Sequence, residues 1–160
     1  MADGGWNCRS YKGDTHSSFH TTISALEGLL AYQRTYPEKD KNITASRKKA
    51  HEFLLQHKLY QSHQTGEIVR KQMIRFPFPP RWYYDFLRAL DYFQSAQSER
   101  DRRFEDAVNL LSSKQKNNGL WQAYRGPSGI TFFDLEPAGK PSRMNTLRAL
   151  RVLRWWNERI

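Results

Sequence analysis

The chain has 160 residues, 38% of them hydrophobic and 14% aromatic, with a formal net charge of +10 and a pI near 9.9. That length fits one domain of ordinary size. Its single cysteine, Cys8, excludes an internal disulfide and a four-cysteine zinc site. No apolar run approaches the roughly 20 residues that cross a bilayer. The N-terminus MADGGWNCRS has no apolar core of a secretory signal, so a cytoplasmic location is expected. The positive charge invites a polyanion, either nucleic acid, an anionic membrane or a phosphorylated small molecule. The plainer reading is a solvated basic surface.

Met1–Ser17 reads as a Gly- and Asp-rich loop carrying Trp6. A first helix is expected from Ser17 or Ser18, either of which can cap it, to about Arg34, with Phe19, Ile23, Leu26 and Leu30 at helical spacing. A second runs from Thr44, its expected cap, to His57, on a narrow apolar face of Ala50, Phe53 and Leu54. Leu59–Pro80 reads as irregular, because Gly66, Pro77, Pro79 and Pro80 interrupt any long helix. Ile68–Phe78 within it has room for a short extended piece. A third helix is predicted from Arg81 to Ala96 over the aromatic stretch RWYYDFLRALDYF. A fourth spans Asp101 to Lys116, with Phe104, Val108 and Leu111 on one face, and Asn117-Asn118-Gly119 closes it in a left-handed turn. Gly126–Pro141 is a loop with a short strand expected at Ile130–Phe133. A fifth helix, capped by Ser142, runs to Asn157.

The helices repeat. Ala25-Leu26, Ala89-Leu90 and Ala149-Leu150 align without gaps across the first, third and fifth, with a period of about sixty residues. Ile23, Leu87 and Leu147 fall in register, as do Leu29, Phe93 and Leu153, and the polar Thr21, Asp85 and Asn145. Ala50, Phe53 and Leu54 of the second helix match Ala107, Leu110 and Leu111 of the fourth. The unit is a turn carrying an aromatic, then two helices. The odd-numbered helices are apolar around more of their circumference and read as inner; the even-numbered ones, with one stripe and many charges, read as outer. Units of this kind bury their faces only by stacking. The predicted fold is therefore all-α, an α/α-toroid-type array of inner and outer helices in one domain, residues 1–160.

Asp3-Gly4-Gly5-Trp6 and Gln115-Lys116-Asn117-Asn118-Gly119-Leu120-Trp121, taken with the inner-helix repeat, resemble the Q-x-x-D-G-x-W turns of the terpenoid-cyclase and protein-prenyltransferase α/α toroid superfamily. Gln115, Asn118, Gly119 and Trp121 occupy the motif positions, and the middle turn keeps only Tyr60 at the aromatic place. The chain is similar to uncharacterised bacterial squalene-cyclase-like or prenyltransferase-like proteins. The resemblance implies a cavity that takes an apolar or isoprenoid-like ligand, and, at this helix count, the C-terminal half of a larger barrel. It departs from the cyclases in lacking their D-x-D-D acid motif. A half barrel implies a missing N-terminal half, a homodimer or an open arc.

Candidate site residues gather at the predicted inner-helix starts. His20, Tyr84, Asp85, Arg143 and Asn145 would converge on one mouth of the cavity, with Phe19, Trp82, Tyr83 and Met144 lining it. Aromatic faces stabilise positive charge, and Asp85, with His20, is placed for acid–base work. The alternative is that Asp85 caps or pairs locally and the aromatics are core. His16 and His20 lie at i, i+4 with Cys8 nearby, a zinc-type donor set, although both histidines also suit plain hydrogen bonding at a helix entry. Arg148, Arg151 and Arg154 recur every third residue, as a phosphate track or a solvated face. Two further functions follow from these readings: a basic helical-repeat module for nucleic acid, or a structural half-barrel that completes an oligomer.

Overall fold

A computed structural model describes every residue except 40, 127, 128, 130, 131, 159 and 160. The fold is all-α, built on α1 (Phe19–Thr35), α2 (Lys41–Gln56), α3 (Phe86–Ser95), α4 (Glu105–Ser113) and α5 (Arg143–Asn157). Among the described residues the strands are a two-residue antiparallel pair, β1 (Trp121–Gln122) and β2 (Pro141–Ser142). Ile130 and Thr131, which open the expected strand Ile130–Phe133, lie outside the described residues. No helix among those described is long and apolar enough to cross a membrane.

Helix starts follow their capping side chains. Ser18 accepts from the Thr21 amide and Ser142 from the Asn145 amide, so α1 and α5 begin where the sequence predicts. Three starts differ. α2 begins at Lys41; Thr44 lies inside it, its hydroxyl accepting from Gln33 Nε2 at 2.9 Å instead of capping. α4 is preceded by a 3-10 turn at Arg102–Phe104, capped by Asp101, and ends at Ser113. α3 begins at Phe86 rather than Arg81. Pro79 and Pro80 break the approach, Arg81 is left-handed at φ 51°, and the Tyr84 amide is committed to His20 Nδ1 at 2.8 Å. Asp85 then caps the helix, its Oδ1 accepting from the Arg88 amide at 2.8 Å. Within Ile68–Phe78, a 3-10 turn at Lys71–Ile74 separates two single bridges, Ile68 to Gln61 and Pro77 to Tyr124.

Helix α3 is the centre of the core, with Phe86 through Leu90, Tyr92 and Phe93 all buried. α5 packs directly along one side of it. α1 meets the other through Phe19 on Tyr84, ring centroids 5.0 Å apart, and through an Arg88–Glu27 ion pair. α2 covers both α1 and α3, with Phe53 5.0 Å from Phe19 and His51 4.8 Å from Phe93. The entry to α4 lays Phe104 against Phe93 and Trp155, at 4.8 and 5.7 Å.

Each of the three turns holds a left-handed residue two places before its aromatic: Gly4 (φ 99°) before Trp6, Lys58 (φ 43°) before Tyr60, and Gly119 (φ 78°) before Trp121. In the first and third, the aromatic's amide donates to a threonine on the helix of the shared register that follows, α1 or α5. Trp6 N–H reaches Thr22 Oγ1 at 3.0 Å and Trp121 N–H reaches Thr146 Oγ1 at 3.1 Å. These two threonines share one register. Phe86 stands at that position in the middle copy, and the Tyr60 amide donates to the His57 carbonyl instead.

Candidate functional site

The repeat register that aligns the apolar residues also aligns charge. Ser24, Arg88 and Arg148 form one set, and Glu27, Asp91 and Arg151 another. In the structure these sets cross-link neighbouring helices. Arg88 Nε and Nη2 donate to the two oxygens of Glu27 at 2.8 and 2.6 Å, and Nη2 also reaches Ser24 Oγ. At the next step, Arg148 Nε lies 3.7 Å from Asp91 Oδ2. Arg151 turns back to the same carboxylate, 3.5 Å from Oδ1, and donates to Gln94 Oε1 at 2.9 Å. Arg34 donates to the Ser95 carbonyl.

These charges border a hollow of about 400 Å³ touched by α1, α3 and α5 together. Its apolar lining is mostly aliphatic: Leu30, Ala31, Pro80, Met144 and Leu147, with the rings of Phe78 and Tyr92. Its charged lining is Arg34, Arg88, Arg148 and Arg151 against Glu27 and Asp91, an excess of positive charge. Burial pushes Asp91 above the usual carboxylate range, opposed by Arg148 and Arg151. Of these residues, the sequence placed Met144 on the cavity wall and Arg148 and Arg151 on a phosphate track or solvated face, with Leu30 and Leu147 only as apolar helix positions. Glu27, Asp91 and Arg34 were missed. The repeat alignment carries Glu27 and Asp91, because both stand one turn beyond the apolar marker Ile23 or Leu87.

The predicted mouth divides into three places. Phe19, Trp82, Tyr83 and Tyr84 do gather with His20: its ring lies 5.2 Å from Trp82 and 5.4 Å from Tyr83, both edge-on. They do not line the hollow between α1, α3 and α5. Phe19 and Tyr84 are buried in the core, with the Tyr84 hydroxyl donating to the Leu59 carbonyl at 2.5 Å. Trp82 is exposed and stacks on Tyr83. Asn145 is fully buried and spends its amide on the Phe76 and Gln122 carbonyls, at 2.7 and 3.2 Å. Arg143 stands on the surface, its backbone amide held by Glu136.

Asp85 is fully buried beside Asn145 and Arg148. Arg148 Nη1 donates to Asn145 Oδ1 at 3.3 Å, and its Nη2 lies 3.9 Å from Asp85 Oδ1. Among the described residues Asp85 Oδ2 has no hydrogen-bond partner. Burial pushes its carboxyl up to about 6, against the pull of Arg148 and of the helix amides. This carboxylate caps α3 and neutralises a buried arginine, and it borders neither the hollow nor the His20 groove.

His20 opens instead onto a groove of about 660 Å³ with Asn7, Arg9, Asp14, His16 and Arg70. Because Nδ1 accepts from the Tyr84 amide, the neutral ring carries its proton on Nε2. Burial lowers its pKa, with Arg70 and Arg88 adding to the effect. An imidazole held this way has no free lone pair for a metal. Cys8 is exposed and does not border the groove. No group of three His, Cys, Asp or Glu that could hold a metal ion occurs among the described residues, so the Cys8, His16 and His20 set is not assembled.

Each arginine of the α5 stripe faces an acid, two of them sharing one carboxylate. Arg148 and Arg151 face Asp91, and Arg154 pairs with Glu158. No family model, curated protein or solved structure matches this chain.

Proposed function

We propose that the chain is a partial α/α barrel of the terpenoid-cyclase and prenyltransferase type, and that it binds an apolar ligand with an anionic group in the hollow between α1, α3 and α5. The observation that carries this is the lining itself: aliphatic side chains on the walls and an excess of arginine among the charges. Concave, mostly apolar sites with a few fixed polar groups are the usual form of small-molecule sites. Arg151 is half-exposed at the rim and, among the described residues, in ion-pair range of one carboxylate. An incoming carboxylate or phosphate gains a charge-assisted contact there. The aromatics expected on the cavity wall, Phe19, Trp82, Tyr83 and Tyr84, pack in the core or around His20, and the hollow keeps only the rings of Phe78 and Tyr92 among its lining.

A fluorescent long-chain carboxylic acid and its methyl ester test the reading. The acid binds saturably and more tightly than the ester. Arg151→Glu weakens it about tenfold, equivalent to roughly 1.4 kcal/mol. Leu147→Trp, which fills the hollow, removes binding of both. Equal binding of acid and ester that ignores both substitutions defeats the proposal.

A further inference from the structure

The inner helices share one rotational register, so their burial can be compared position by position. α3 is buried on both flanks. On α5, Leu147 and Leu150 are 53% and 50% exposed, whereas their counterparts Leu87 and Leu90 on α3, and Ile23 and Leu26 on α1, are fully buried. On α1 the uncovered side is the opposite one. Ser24 and Gly28 are exposed there and Thr21 and Ala25 are half-buried. Their counterparts Asp85, Arg88, Ala89 and Tyr92 on α3 are all buried, as are Asn145, Arg148, Ala149 and Val152 on α5. That side faces the preceding inner helix, because Arg88 reaches Glu27 on α1 and Arg148 reaches Asp91 on α3. Hence α1 lacks a predecessor and α5 lacks a successor.

We infer that a second copy of this chain supplies both, with α5 of one copy seating Leu147 and Leu150 against Thr21, Ala25 and Gly28 of the other copy's α1. A two-fold axis along the inner helices repeats the contact and closes two arcs into a ring. The contact continues an interface already made twice within one chain, from α1 to α3 and from α3 to α5. The flanks match in shape. A Cβ built on Gly28 meets nothing within 4 Å, leaving room for an incoming leucine. They also exclude the other pairings. Two α5 flanks bring Arg143, Arg151 and Arg154 against their own copies, and two α1 flanks offer no leucine or isoleucine to bury. One hollow touches α1, α3 and α5, so the three helices curve around a common side.

The test is mass in solution by light scattering, with Leu150→Glu and Gly28→Arg as variants. Neither residue lines the hollow, so ligand binding is read separately. The wild-type chain runs at twice 19.0 kDa at tens of micromolar. Each variant alone runs as a single copy with unchanged helical circular dichroism, since both side chains project into open space on the single chain. An equimolar mixture of the two restores the double mass, because one undamaged α5–α1 contact forms between them. A wild-type single copy, assemblies that grow past two copies, or variants that mix without recovering mass overturn the inference. An unchanged double mass in both variants overturns it as well, by placing the interface elsewhere.

Discussion

The first and third turns and the middle turn solve one geometric problem with different chemistry. All three place a left-handed residue two positions before an aromatic, at φ 99°, 78° and 43°. The first and third use glycine there and tie the tryptophan amide to a threonine of α1 or α5. The middle one uses Lys58 and has Phe86 where the threonine stands. The helix that follows in the shared register differs too: α1 and α5 are capped by serines, whereas α3 starts one turn later in that register, capped by Asp85. What the three copies keep is backbone shape and a buried ring. The middle copy, covered on both sides, is free of the glycine and threonine that stabilise the two copies at the ends.

Removing the rings gives the largest contrast. Trp121 is fully buried and donates Nε1–H to the Leu111 carbonyl at 2.8 Å, so Trp121→Ala loses packing and one of that carbonyl's two hydrogen bonds, the other coming from the Lys114 amide at 3.2 Å. The expected cost is about 3–5 kcal/mol. Trp6 is only partly buried, and Trp6→Ala costs about half as much by area. Urea unfolding of both variants checks the order. Equal losses would show that the turns contribute alike and that burial does not rank them.

Asp85 against the two serine caps is the next contrast. Its carboxyl is raised from 3.8 to about 6 in the folded chain, a difference of about 3 kcal/mol between protonation states. The folded state holds the proton more tightly than the unfolded one. The stability that this proton supplies is complete below about 3.8 and is lost as pH rises through about 6. His51, lowered to about 4 by burial, contributes with the opposite sign over much of the same range. The quantity to measure is therefore the difference between wild type and Asp85→Asn, an isosteric cap. Asn gains on wild type as pH rises from 4 to 7, by about 2–3 kcal/mol. A difference that stays flat across this window would place the shifted titration on another group.

How far the sequence was legible follows from which interactions are local. The five helices, the caps Ser18 and Ser142, and the left-handed Gly119 are set by neighbours in the chain, and all were readable. The start of α3 was not. Trp82, Tyr83 and Tyr84 have the spacing of a helix, but the Tyr84 amide is claimed by His20 and its hydroxyl by Leu59, both distant in sequence. The hollow was half legible. Aligning the helices on their leucines exposed the array. The Arg88–Glu27 and Arg148–Asp91 links appear only when polar positions of one helix are set beside those of the next. Phe19 and Tyr84 were expected on a cavity wall but lie in the core between α1, α2 and α3, because large rings bury the most area.

The smallest effects separate the two glycine turns from each other. Lys58 shows that this position tolerates a side chain when φ is 43°, within the left-handed basin open to ordinary residues. Gly119 at φ 78° lies just beyond it, and the nearest atom to a Cβ there is the flexible Gln115 Nε2 at 3.8 Å. Gly119→Ala therefore costs about 1 kcal/mol, almost all of it backbone. Gly4 at φ 99° is further out, and its Cβ would stand 2.5 Å from the Lys49 carbonyl oxygen of α2. Backbone atoms of a packed helix do not yield as a side chain does, so Gly4→Ala costs at least about 2 kcal/mol. Denaturant midpoints of the two variants measure the gap. If Gly119→Ala proves the more damaging, the close approach at Lys49 is not what demands glycine in the first turn, and the backbone angle alone sets the requirement in both.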